Sequence, residues 1–227
     1  MLREAVGCLI YLAHVTRPDI AYAVSKLSQF CNNSGYQHWL GVKRVMRYLQ
    51  GTKNLKLCYV KEESQEITGY CDADWASDPL DRRSCTGFVF LFQKASISWN
   101  SCKQQTVALS TAEAEYMAMA SATQEALWIQ QLQTELGRPS ESALVIYSDN
   151  QSAIRLASTD CYKPKTKHID IRLHFLRDNI ADCKVKFLFV NGCYMVADNL
   201  TKGTTYEKHL FCINRMGLRS AGSVSVI

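Results

Sequence analysis

STAEAEYMAMASATQEALWIQQLQTELG, residues 110–137, carries the longest helical pattern in the sequence. Ala118, Ala122, Ala126, Ile129, Leu132 and Leu136 recur at intervals of three and four, which places them on one face of a helix. Ser110 followed three residues later by Glu113 is a capping-box signature, and Gly137 with Pro139 is a stop signal. Glu115, a second acid in the first turn, has no such local task. It falls beside the apolar stripe, where a carboxylate needs a partner or a cation.

The segments on either side of this helix read as strands. Leu55–Val60 and Ile67–Cys71 are separated by the polar turn at 61–66, and Thr86–Phe92 and Ile97–Trp99 follow a loop marked by Asp78, Pro79 and Asp81. Beyond the helix come a strand at Leu144–Ser148, a short helix opening at Asn150, and a helix carrying Ile169, Leu173, Leu176 and Ile180. A strand at Lys184–Val190 then precedes a helix around Ala197–Lys202. The order β-β-β-α-β-α-α-β-α predicts an α/β fold, a mixed sheet with helices packed against it.

Ahead of the strands, residues 1–50 read as three amphipathic helices. Val6, Leu9, Ile10 and Ala13 form the first stripe, and Pro18 opens a second helix through Ile20, Val24 and Leu27. The third places Trp39, Val42, Val45, Met46 and Leu49 on one side and Lys43, Arg44 and Arg47 on the other. Those three cations make a basic edge suited to a phosphate backbone, or simply a wet helix face. The expected organisation is a helical segment at 1–55, a sheet domain at 56–205 and a C-terminal tail at 206–227.

Composition narrows the field. The chain is 47% hydrophobic and 21% charged, as in a globular protein. No run approaches the roughly 18–20 apolar residues of a membrane span, and the N-terminus lacks a signal-peptide pattern, so an intracellular location, cytoplasmic or nuclear, is expected. Ten cysteines are scattered without a CxxC pair, which favours free thiols over zinc or disulfides. The net charge of +5 is uneven: residues 1–60 hold eight Lys/Arg against two Asp/Glu, the remainder 18 against 19. A basic front on a near-neutral body fits contact with a polyanion, and fits equally a solvated surface.

Four acids sit where element ends should meet. Asp72 follows an apolar strand, Glu115 lies in the first turn of the long helix, Asp149 ends a strand and Asp198 begins a helix. Carboxyl ends of strands and first turns of helices converge at one rim of a sheet. Clustered carboxylates raise one another's pKa and stay ionised only with a compensating cation, and hard oxygen ligands suit Mg²⁺ or Mn²⁺. Two such ions about 3.5–4 Å apart would hold the attacking water and the leaving oxygen of a phosphodiester. Asp74 is a second candidate beside Asp72, although it also suits a turn.

The runs CDADWASDPLDRRSCTGFVF, SWNSCKQQTVALSTAEAEYMA, IYSDNQSAIRLA, TKHIDIRLHFLRD and ADNLTK strongly resemble the ribonuclease H domain of copia-type retrotransposon polyproteins. VGCLIYLAHVTRPDIAYAVSKLSQF and HWLGVKRVMRYLQGT are similar to the segment joining that domain to the reverse transcriptase, and the sequence fits a whole product, a truncated copy or a piece of a longer polyprotein alike. The resemblance implies a ribonuclease H-like five-stranded sheet, two divalent ions and cleavage of the RNA strand of an RNA–DNA hybrid. It places Asp72, Glu115, Asp149 and Asp198 as the metal ligands, with the polymerase domain of the same polyprotein as partner. The loop Asn191–Val196 departs from the family by lacking its proline and a histidine, which puts Asp198 occupancy and turnover in question. No Tyr-x-Asp-Asp strand pair is present, so no DNA synthesis is expected from this chain alone.

Arg82, Arg83 and Lys103 are candidates for phosphate contacts, and otherwise solubilise loops. Asn150, Gln151 and Ser152 open a helix beside Asp149, where their side chains could meet groove edges and the 2′-OH, or serve only as caps. His168 and His174 are six apart, facing different directions on a helix, and read as structural. Two rival functions remain: an idle, truncated or domesticated nucleic-acid-binding module, and another polynucleotidyl transferase or exonuclease on the same scaffold.

Overall fold

A computed structural model describes residues 1–61, 66–140, 142–158 and 170–220. The turn residues 62–65, and Lys167, His168 and Ile169, lie outside them. Three helices come first: α1 (Leu2–Val15), α2 (Ala21–Ser28) and α3 (Tyr36–Gly51). Then follow β1 (Leu55–Leu57), β2 (Thr68–Asp74), β3 (Cys85–Phe92), β4 (Ala95–Lys103) and the long helix α4 (Thr111–Glu135). The remainder is β5 (Leu144–Ser148), α5 (Gln151–Ser158), α6 (Asp170–Ala181), β6 (Val185–Phe189), α7 (Asp198–Thr201), α8 (Tyr206–Arg215) and β7 (Leu218–Ser220).

Five strands form one mixed sheet in the order β4-β3-β2-β5-β6. β2, β3 and β4 are an antiparallel meander, while β5 runs parallel to β2 and β6 parallel to β5. The parallel connections pass through α4 and through α5–α6, as parallel strands require. The carboxyl ends of β2 and β5 therefore point to the same rim.

Helices cover both faces. Tyr116, Met119, Ala122, Ala126 and Ile129 of α4 share one core with Cys71, Phe88, Phe90 and Ile146, joined by Ala153 of α5 and Leu176 of α6. On the other face Val6, Leu9, Val24 and Val42 of α1–α3 pack with Tyr70, Val89, Leu91, Leu200 and Met216. The N-terminal helices thus do not bury their apolar stripes against one another alone. They close the second face of the sheet, which would otherwise stand open to water.

Four local expectations change in the structure. Residues 206–220, expected as part of a tail, form α8 and β7: the Thr205 hydroxyl accepts from the Lys208 N–H at the helix start, and β7 pairs antiparallel with β1. β2 extends to Asp74, so Asp72 lies inside the strand instead of following it. On α4, Ser110 accepts from the Glu113 N–H as expected, but the Glu113 carboxylate takes the N–H of Leu109, one residue outside the usual box. The stripe of α4 is buried through Ile129 only; Leu132 and Leu136 are exposed and, with Trp128, line a groove of about 920 Å³ at the opposite end of the strands from Asp72.

Candidate functional site

β2 alternates its side chains, sending Cys71 and Ala73 toward α4 and Tyr70 and Asp72 toward α7. Asp72 is almost fully buried, and Thr201 of α7 donates its hydroxyl to Asp72 Oδ2. α4 starts on the opposite face and directs Glu115 back to the strand, where it accepts from the Ala73 N–H. Asp149, half-buried, stands immediately after β5. Asp72, Glu115 and Asp149 each present an oxygen within 4.8 Å of the other two.

Three carboxylates this close in a buried setting resist ionisation. Burial, then the charges of Asp72 and Asp149, push Glu115 up to about 9. Burial also raises Asp72, to about 6, with Lys202 and the Thr201 hydroxyl partly offsetting Asp198 and Asp149. Asp149 moves up for the same reasons, burial first and Asp198 next. Glu115 Oε2 is buried with no hydrogen-bond partner among the described residues. An orphaned oxygen aimed into a ring of hard donors fits a divalent cation of the Mg²⁺ type.

Asp198 lies beside this group, outside the 4.8 Å cluster, and its charge acts on Asp72 and Asp149. It is buried, with Lys202 Nζ 2.6 Å from Oδ1 and Lys208 Nζ 2.9 Å from Oδ2. Lys202 Nζ is also 3.5 Å from Asp72 Oδ2. Partial burial works against its charge, yet Asp72 and Asp198 raise the Lys202 pKa above its ordinary value. Lys208 also donates to the carbonyls of Gly192 and Cys193, which ties the 191–196 loop to α8. Neither lysine figured among the sequence candidates. The available signal was Asp198–Lys202 in ADNLTK, an acid and a base at the i,i+4 spacing of one helical turn.

α7 is braced from the N-terminal segment. Tyr48 of α3 donates to Asp19 Oδ2 at 2.7 Å and meets His209 Nε2 at 3.0 Å, while the His209 ring reaches the Asn199 side-chain amide at 2.7 Å. Arg17 holds Asp19 through two bonds, 2.8 and 2.6 Å, and both residues are buried. His209 meets α7 through Asn199, the residue after Asp198, and this network occupies its ring.

The expected nucleic-acid contacts divide. Lys103 is committed to Asp78 at 2.6 Å and Asp81 at 2.8 Å, which lowers the pKa of both acids, so it fastens the loop after β2. Arg83 lies 3.5 Å from Asp81, and Arg82 is exposed with a φ of 57°. Asn150 caps α5, its Oδ1 accepting from the Ala153 N–H, with Gln151 and Ser152 exposed beyond it. Lys43, Arg44 and Arg47 are exposed on the outer face of α3. Among the described residues the nine cysteines are free, and no helix is long and apolar enough to cross a membrane.

No family model matches the chain. It is similar to the retrovirus-related Pol polyprotein of the Nicotiana tabacum transposon TNT 1-94, 42% identical over 217 residues, or 96% of this chain and 16% of that one. The corresponding polyprotein of the Arabidopsis thaliana transposon RE1 is 40% identical over 200 residues, 88% of this chain and 14% of that one. The chain therefore spans about one-sixth of the length of these relatives. Among solved structures, the N-terminal RNase H domain of a Mycobacterium tuberculosis protein covers 61% of this chain and 91% of that one, at 11% identity and a TM-score of 0.45. The fold itself is a mixed five-stranded sheet in the order β4-β3-β2-β5-β6 with helices on both faces.

Proposed function

Because the chain belongs to the retrovirus-related Pol polyproteins of transposons, we propose that it is the ribonuclease H part of a copia-type polyprotein, a divalent-ion-dependent endonuclease acting on the RNA strand of an RNA–DNA hybrid. The observation that carries this reading is the convergence of Asp72, Glu115 and Asp149 within 4.8 Å, with Glu115 Oε2 unpartnered. These three would hold the ion, with Mg²⁺ the natural occupant and Mn²⁺ an alternative. A bound divalent ion would supply Lewis-acid activation of water and neutralise charge on a phosphodiester.

The protein's own groups do the rest. Thr201 and the N–H of Ala73 fix the orientations of Asp72 and Glu115, and α5 carries Asn150, Gln151 and Ser152 to the edge of the same rim. Gln151 and Ser152, exposed at the start of α5, are assigned to the sugar edge where the 2′-OH separates RNA from DNA. Arg82 and Arg83, together with Lys43, Arg44 and Arg47, are assigned to the phosphate backbone, where cations give affinity without sequence preference. The polymerase domain of the same polyprotein is the expected partner, and no DNA synthesis is assigned to this chain by itself.

The deciding experiment offers labelled RNA–DNA hybrid and plain duplex DNA with Mg²⁺ to the wild type and to Asp72→Asn. Hybrid cleavage by the wild type alone supports the proposal. Binding without cleavage by both proteins would leave a nucleic-acid-binding module, and cleavage of plain DNA a different nuclease.

A further inference from the structure

The four acids fall into two sets with different counter-charges. Asp72, Glu115 and Asp149 face one another and leave the buried Glu115 Oε2 open. Asp198 is ion-paired on both sides, with Lys202 Nζ 2.6 Å from Oδ1, an oxygen that accepts no aligned hydrogen bond, and Lys208 Nζ 2.9 Å from Oδ2. Lys202 also lies 3.5 Å from Asp72, so its Nζ sits between the first and fourth acids. A second cation shared by Asp72 and Asp198 would need that place.

We propose that this is a one-ion site: the carboxylates of Asp72, Glu115 and Asp149 take a single divalent cation, and the Lys202 ammonium, backed by Lys208, fills the position of a second. The inference rests on the nuclease reading above and specifies its metal requirement.

Charge balance and anchoring both favour it. Four carboxylates and two ammonium groups leave two negative charges, which one divalent ion neutralises and a second overshoots. The backbone of Lys202 is fixed where its N–H closes onto the Asp198 carbonyl, and its side chain, 40% exposed, reaches back to Asp198 and Asp72. Lys208 is held more firmly still, by Asp198 and by the carbonyls of Gly192 and Cys193, with only a fifth of its side chain exposed.

The test counts Mn²⁺ bound to the full chain by electron paramagnetic resonance and calorimetry, with circular dichroism to confirm folding. The wild type should bind one ion with no spin-coupled neighbour. Lys202→Met should bind two, with the second site tightened at least tenfold, and Lys202→Arg should return to one. Two ions in the wild type, or a single ion in a folded Lys202→Met, would overturn the one-ion inference while leaving the nuclease reading standing. No bound ion in the wild type would sink both. Should Lys202→Met not fold, the counts for the wild type and Lys202→Arg still decide, since two ions in either refute it and one in both supports it.

Discussion

Asp72 stands directly opposite Gly87 in the antiparallel β2–β3 pair, and the missing side chain at Gly87 is what lets α7 lie against the sheet beside that acid. A Cβ at position 87 would come within 2.7 Å of Thr201 Cγ2 and 2.8 Å of Leu200 Cβ. Gly87→Ala should therefore push α7 outward and loosen the Thr201 bond to Asp72. The expected cost is about 1–3 kcal/mol in urea unfolding, typical of overpacking, with weaker Mn²⁺ binding. Unchanged stability and affinity would show that α7 has room to spare.

The raised carboxylate pKa values set a pH dependence. Glu115 at about 9 and Asp72 at about 6 bind protons in the folded chain that the unfolded chain has already released above 4.5 and 3.8. Their contribution to ion-free stability is fully present below the unfolded values and is lost as pH rises through about 6 and then about 9. Melting in chelator should fall across this window. Added Mg²⁺, which favours the ionised form, should raise the melting temperature by an amount that grows with pH. A flat difference between the two curves would contradict the shared pocket.

Glu115→Gln replaces a carboxyl that must take up a proton to be buried without an ion, while keeping shape and the acceptor facing the Ala73 N–H. Near neutral pH the ion-free variant should be as stable as the wild type or more so, by up to about 1–3 kcal/mol, while Mn²⁺ affinity and hybrid cleavage are lost. Destabilisation combined with intact metal binding would point to a purely structural Glu115.

Tyr48 links the N-terminal helices to the helix that carries Asp198. Tyr48→Phe leaves the ring but strands Asp19 Oδ2 and His209 with one partner fewer, and should cost about 1–3 kcal/mol in chemical denaturation. Because the network meets Asn199 and not the carboxylates, the number of Mn²⁺ ions bound should not change.

Lys103 and the α3 cations should separate in salt titrations of hybrid binding. Lys43→Ala, Arg44→Ala and Arg47→Ala should each reduce the slope of log affinity against log salt by about 1 where the residue meets a phosphate. Lys103→Ala should leave the slope unaltered and instead loosen the 78–83 loop, seen as faster amide exchange. A slope change for Lys103 alone would reverse that assignment.

How much of this was legible in the chain depends on range. The cap at Ser110, the stripe from Ala118 to Ile129 and the alternation along β2 are written within a few residues of where they act, so α4 and the sheet strands could be read directly. Glu115, Asp149 and Asp198 sit near element ends and were legible for the same reason, while Asp72 proved to lie within β2. Thr205 followed by Phe211, Cys212 and Ile213 also offered a helical signal for α8, which the reading as a tail passed over.

The amino-acid order by itself determined the long helix, the strands of the five-stranded sheet and four candidate acids, because backbone hydrogen bonding and side-chain periodicity are local properties. Only the tertiary structure decided that Asp198 belongs to Lys202 and Lys208 while the other three acids face one another, that Lys103 is spent on Asp78 and Asp81, and that α1–α3 seal the sheet's second face. Apart from the Asp198–Lys202 spacing, those outcomes turn on charge pairs and apolar contacts between segments distant in the chain, Lys202 and Asp72 being 130 residues apart, and strand register and helix packing set them with no trace in local pattern.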